Sequence, residues 1–294
     1  MNPALPILAA ATNGLLIGAA MVASRFALEQ MPPATLALLR YSVGALCLLP
    51  PLLMIRPVRF ERRDLLPVAL LGIVQFGVLI ALLNWGLQRM PSARAALIFA
   101  TFPLLTMLLA AALRMERLTL AKTAGVLLTF AGVALALGDK ALAAGDGAGW
   151  WGEAAVLASA LCGAVCSVFY RPYVRKYPTL QVSWFAMVAS VAFLALLAAN
   201  ERFFDHWPRF DAAGWGAVLF VGFASAAAYF LWLWALAHTS PTRVTVFVSV
   251  SPPTAALLGW ALLGESLSPL FLAALACLAG GLWLAHRERA PGPG

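Results

Sequence analysis

The sequence predicts an all-α polytopic membrane protein of ten transmembrane helices, arranged as two inverted five-helix repeats. Three observations predict it. Of the 294 residues, 63% are hydrophobic and only 11% charged, against roughly 25% charged in a soluble domain. The apolar residues gather in ten runs, each near the ~20 residues that cross a bilayer as a helix. A shift of 149 residues lays the second half of the chain on the first.

The first run, 4–26, carries Ala10, Gly14 and Gly18 at every fourth position, with Asn13 beside them. Such a ribbon lets another backbone approach closely. The run reads as a retained span, because the positive segment that opens a signal peptide does not precede it. Met31-Pro32-Pro33 breaks the chain before the second run, 34–54, which holds Arg40 and Tyr41. The charged stretch from Arg56 to Asp64 leads to the third, 65–87, with Gln75 near its middle. Pro91 opens the fourth, 91–113, which contains Thr101 and Pro103. Met115-Glu116-Arg117 precedes the fifth, 119–138, marked by Gly125 and Gly132. A Gly/Asp stretch leads to the sixth, 150–170, where Ala155, Ser159, Gly163 and Ser167 repeat the small-residue spacing. Arg171 to Pro178, Asn200 to Asp211, Ser240-Pro241 and Gly264-Glu265-Ser266 then introduce the runs 180–199, 212–237, 242–263 and 268–286. All are expected to be helices, since runs this long lack the alternation of barrel strands.

At the offset of 149, Trp85 meets Trp234, Arg94 meets Arg243, Pro103 meets Pro252, Glu116 meets Glu265 and Gly132 meets Gly281. Nearer the N-terminus a shift of 145 pairs Ala10 with Ala155, Gly18 with Gly163 and Pro33 with Pro178. The units are therefore read as 1–145 and 146–294. Five helices is an odd number, so the second unit enters the membrane upside down. Inverted copies about an in-plane axis are a transporter signature, with the solute site between them near the midplane.

The net charge of +8 does not point to nucleic acid, because the basic residues sit in short gaps between apolar runs. With the N-terminus in the cytoplasm, thirteen Lys and Arg fall inside and six outside, while Arg40 lies within a span. That bias favours both termini inside. The four cysteines lie in apolar runs; Cys162 and Cys166, one turn apart, read as packing residues rather than a metal pair. No metal or cofactor is expected. The three histidines, His206, His238 and His286, are scattered at membrane edges, which disfavours a membrane-embedded enzyme, since such chemistry needs clustered acid–base or metal groups.

Polar groups inside a membrane are costly and are therefore candidates for contact with a solute. The candidates are Asn13, Arg40, Tyr41, Gln75, Thr101, Ser159, Tyr229 and Ser251. Each Ser and Thr has a structural alternative, a hydrogen bond to a carbonyl one turn back on its own helix. Arg40 has two readings: its guanidinium fork grips a solute carboxylate, or it snorkels outward or pairs with Glu153. Pro103 and Pro252, in equivalent helices, are candidate hinges, because each removes a backbone hydrogen bond. No Asp or Glu lies at the centre of a run, so a carboxylate-driven proton antiport is not expected.

Leu39-Arg40-Tyr41, Pro103, Glu116-Arg117-Leu118 with Gly125 and Gly132-Val133, then Pro252, Gly264-Glu265-Ser266-Leu267 and Gly280-Gly281 form an ordered, duplicated set. In this the chain resembles the drug/metabolite transporter superfamily, specifically its EamA-type ten-helix members. Two positions depart from the pattern: Met115 stands where a Gly before Glu116 is usual, and Ala274 stands opposite Gly125. The resemblance implies an inner-membrane exporter of small metabolites, with the lipid bilayer and a small-molecule solute as its partners and a monomer as the expected state. Its overall look is most similar to YddG-like amino-acid exporters, which implies amino acids, hydrophobic and aromatic ones included. Other small solutes or drugs are the alternative.

Overall fold

The computed structural model describes residues 4–55, 58–115, 120–144, 149–204, 210–238, 244 and 246–286. Glu116-Arg117-Leu118, Trp207, Arg243, Thr245, Arg287 and Arg289 lie outside them. The regular elements among the described residues are all helices, with no strand. In order they form α1 (Ala4–Ala27), α2 (Pro33–Met54), α3 (Arg62–Leu87), α4 (Ser92–Ala112), α5 (Leu120–Ala144), α6 (Trp151–Lys176), α7 (Thr179–Asn200), α8 (Ala212–His238), α9 (Ser251–Leu263) and α10 (Pro269–His286). Seven of them, α1–α4 and α6–α8, are long and apolar enough to cross a membrane, and the shorter apolar stretches fall on α5, α9 and α10. Large apolar side chains point outward along these helices, among them Leu46, Leu53, Leu157, Leu196, Phe223, Trp260 and Trp283. Water would penalise such a surface, and hydrocarbon does not.

Four helices depart from regular α geometry. α3 loosens into a π-helical turn at Ile73–Val78, and α4 breaks at Ala100-Thr101 before restarting at Phe102–Ala112. α9 is led by a 3-10 turn, Val246–Val250. Pro103 and Pro252 each fall within the first two positions of the restarted helix. There a missing N–H costs nothing, because the first helical amides have no partner in any case. α6 also runs beyond the expected 150–170, bending at Tyr170 and continuing through Arg171–Lys176.

α1 packs chiefly against α8 and α9, while α6 packs chiefly against α3 and α4. α2 packs against α7 and α8, and α3 also meets α7. α5 and α10 pair with each other and touch the rest sparingly. In lipid such contacts depend on close packing rather than on hydrophobic expulsion, and small residues set the spacing. A Cβ on Gly18 of α1 would sit 2.6 Å from the Ser251 carbonyl of α9, and one on Gly281 of α10 would sit 2.6 Å from the Gly125 carbonyl of α5. The ribbons on α1 and α5 thus serve packing.

Candidate functional site

A cavity of about 80 Å³ lies between α1, α2, α3, α4 and α8. α1 contributes Asn13, Ile17 and Ser24; α2 contributes Arg40 and Tyr41; α3 contributes Gln75, Phe76 and Leu79. α4 adds Phe99 and Phe102, and α8 adds Ser225, Tyr229 and Trp232.

Local sequence explains how several of these side chains arrive there. The π-helical turn of α3 contains Gln75 and Phe76, and such a turn carries one more residue than an α-turn, which re-aims the side chains along it. Gly72 precedes that turn, and a Cβ on it would lie 2.7 Å from the Ala186 Cα of α7. Glycine therefore lets α3 press on α7 where the turn begins. On α8, Ser225, Tyr229 and Trp232 follow one another at spacings of four and three, so one face of the helix presents all three.

The cavity wall has an aromatic and a polar part. The aromatic part is a continuous stack. Tyr41 and Phe76 have ring centroids 4.6 Å apart, Phe76 meets Tyr229 edge-on at 4.2 Å, and Tyr229 stacks on Trp232 at 5.5 Å. Tyr170 of α6, fully buried, backs both Tyr229 and Trp232 at 6.2 Å. The polar part centres on Arg40, whose Nε donates to the Ser225 hydroxyl and whose guanidinium lies 5.4 Å from the Tyr41 ring. Arg40 is buried, and among the described residues no carboxylate pairs with it. Around it are buried polar atoms with no protein partner: Asn13 Nδ2, Ser24 Oγ, Gln75 Oε1, the Tyr229 hydroxyl and Trp232 Nε1. Buried polar groups in proteins are nearly always satisfied, so five on one cavity wall mark a place where something polar binds.

Of the eight sequence candidates, the structure brings together Asn13, Arg40, Tyr41, Gln75 and Tyr229. It does not bring Thr101, Ser159 or Ser251 to the cavity. All three are fully buried, and their hydroxyls donate to Ile98 O at 2.8 Å, Val156 O at 2.7 Å and Val248 O at 2.7 Å. These are bonds to their own helical stretch, and Thr101 sits at the α4 break itself. Arg40 neither snorkels nor meets Glu153; it turns inward onto α8. Ser24, Ser225 and Trp232 complete the site. Ser225 stood among the polar residues of the eighth run, and the spacing that aligns Ser225, Tyr229 and Trp232 on one face was present in the sequence. Nothing in the sequence marked Ser24. Among the described residues no group of three His, Cys, Asp or Glu side chains could hold a metal.

On the face of the bundle that carries the α1–α2 turn, two carboxylates cap helices of the other half. Glu201 accepts from the backbone N–H of Ala34 at 2.9 Å and of Thr35 at 2.7 Å, and from the Thr35 hydroxyl at 2.9 Å. Glu265 accepts from the Ser92 N–H at 2.8 Å and its hydroxyl at 2.7 Å, with Arg25 Nε 4.0 Å away. The opposite face is tied by Lys176, which reaches Glu61 at 2.5 Å and Asp64 at 2.7 Å, while the Tyr177 hydroxyl donates to Asp64 at 2.6 Å.

The EamA-like transporter family matches the chain twice, over residues 4–138 and 150–287. A probable terminal-alkyne amino-acid exporter of Streptantibioticus cattleyicolor is 31% identical over 274 residues, which cover 92% of this chain and 89% of that protein. An uncharacterized transporter of Archaeoglobus fulgidus is 26% identical over 274 residues, 92% of this chain and 95% of that protein. A crystal structure at 26% identity superposes with a TM-score of 0.73 over 96% of each chain.

Proposed function

The chain belongs to the EamA-like transporter family, and from that premise we propose that it exports amino acids, hydrophobic and aromatic ones included, across a bacterial inner membrane. The observation that carries this reading is the cavity, where one unpaired guanidinium faces a wall of aromatic rings. An amino acid offers a carboxylate to the first and an apolar side chain to the second. A relative described as a probable amino-acid exporter supports the same reading.

The protein works by alternating access between two inverted five-helix units, 1–145 and 146–294, that together make ten spans with both termini in the cytoplasm. The packing supports this, because the partners exchange between units: α1 meets α8 and α9, and α6 meets α3 and α4. The double family match supports it too. Pro103 and Pro252 act as paired hinges: Pro103 lies just after the break in α4, and Pro252 just after the 3-10 turn that leads α9. Unchanged transport by Pro103→Ala would remove the hinge from the mechanism. Among the described residues the cavity wall carries no carboxylate to bind and release a proton, and this supports export down the solute gradient. The test is counterflow in proteoliposomes with neutral amino acids, sugars and cationic drugs. Saturable flux of apolar amino acids that survives a protonophore is expected. Flux of cations alone, or of nothing, would overturn the reading.

A further inference from the structure

The cavity is unbalanced in charge and in hydrogen-bonding character, and the imbalance defines its ligand more sharply than size does. Its one ionic group is Arg40, buried and without a carboxylate partner among the described residues. Its orphaned atoms lean the same way. Trp232 Nε1 and Asn13 Nδ2 can only donate, while the Ser24 and Tyr229 hydroxyls can donate to an anion or accept. Gln75 Oε1 is the one orphan that only accepts. A buried cation amid unused donors is costly until an anion meets it.

We propose that the site recognises the carboxylate of its solute and does not require the ammonium, so that its ligand class is the apolar monocarboxylate, amino acids being one case. The inference rests on the exporter reading and deepens it. Arg40 is already oriented for the task. Its Nε is engaged by Ser225, which leaves the two terminal nitrogens to meet carboxylate oxygens, and the Tyr41 ring lies beside the guanidinium. Among the described residues of the wall an ammonium finds no counter-ion. Gln75 Oε1 and the aromatic faces hold it only weakly, since a cation–π contact is worth ~0.5–2 kcal/mol and competes with hydration.

The experiment compares three probes that share one phenyl group: L-phenylalanine, 3-phenylpropionate, which lacks the ammonium, and phenethylamine, which lacks the carboxylate. Binding to the purified full-length protein is read by ligand-dependent rise in Tm and by inhibition of phenylalanine counterflow. We expect 3-phenylpropionate to bind within about tenfold of phenylalanine, and phenethylamine about a hundredfold more weakly, as a missing charge-assisted contact implies. Arg40→Gln should abolish the preference for carboxylate over amine, and Arg40→Lys should keep its direction at reduced affinity. The wild-type series decides the matter even if Arg40→Gln folds poorly. Saturable phenylalanine flux with no binding of 3-phenylpropionate overturns this inference and leaves the exporter reading standing. Binding of 3-phenylpropionate without phenylalanine flux does the reverse. Phenethylamine binding as tightly as the two acids sinks the inference outright, and so does the absence of binding by all three.

Discussion

On the face that carries the α1–α2 turn, the two halves of the protein are joined by carboxylates seated on helix ends. On the opposite face they are joined by an ammonium between two carboxylates. Glu265 keeps only 9% of its side chain exposed, and its partners are a backbone amide and a hydroxyl at the start of α4. Lys176 and Glu61 are 37% and 45% exposed, and solvent competes for both. A carboxylate at a helix N-terminus satisfies amides that have no other partner and meets the positive end of the helix dipole. An exposed ion pair gains little, because water screens it. Asp64, the second carboxylate on Lys176, keeps 13% of its side chain exposed, so the contrast between the faces rests chiefly on the Lys176–Glu61 contact.

The largest effect expected of this comparison is on Glu265. Glu265→Ala leaves the Ser92 amide and hydroxyl without an acceptor in a nearly closed environment, which costs about 2–3 kcal/mol. Glu201→Ala should cost a comparable amount, about 1–3 kcal/mol, because Glu201 accepts from two backbone amides and a hydroxyl in the same way. Both are read as lower Tm of the purified protein in nanodiscs. Equal or smaller losses than those from Lys176→Ala would break the comparison.

These caps show how far the sequence is legible. Some helix bounds were readable to within a few residues: 4–26 became Ala4–Ala27, 180–199 became Thr179–Asn200, and 212–237 became Ala212–His238, whereas 119–138 ran on to Ala144, 150–170 to Lys176, and 242–263 is α-helical only over Ser251–Leu263. Hydropathy reports length of apolar chain, and in lipid that length nearly determines the helix. It does not report hydrogen-bond register, so the π-helical turn in α3 and the break at Ala100-Thr101 were not visible. The caps left a readable sign. Pro32 and Pro91 occupy the N-cap positions of α2 and α4, and proline has no side-chain acceptor, so another segment must supply one. Which segment does so is a matter of tertiary contact. At the cavity, residue type separated Arg40, Asn13 and Gln75 from the rest, but the hydroxyls of Thr101, Ser159 and Ser251 carry the same letters whether they face a cavity or their own helix.

The Gly-Glu pair at the end of α9 follows the same logic. Gly264 adopts a left-handed φ of 65°, the conformation that closes a helix at lowest steric cost. The chain then doubles back, with Glu265 N–H on the Gly259 carbonyl at 3.1 Å, and the carboxylate lands on α4. In the first half Met115 stands at the matching position, and the left-handed residue is Arg114, with φ 57°. The departure seen in the sequence is thus absorbed by a shift of one residue.

The smallest expected effect is at the Lys176 face, and its conditions identify it. The hydrogen bond from Lys176, followed by that from Arg63, holds the Glu61 carboxyl below its ordinary value of 4.5. A carboxyl lowered by folding stabilises the folded state fully above its ordinary value, and the contribution disappears as the pH falls through the lowered one. The part of the Lys176→Ala effect that runs through Glu61 should therefore be measurable at neutral pH and fade below about pH 4.5. It should also shrink in about 1 M salt, where screening acts over ~3 Å. Most of the loss from Glu265→Ala should persist in that salt, because its closest partners are the Ser92 amide and hydroxyl in a nearly closed joint, with Arg25 farther off at 4.0 Å. Thermal unfolding of both variants at low and high salt separates the two faces. Equal salt sensitivity would mean that both joints are solvent-screened alike, and the asymmetry between the faces would have no electrostatic basis.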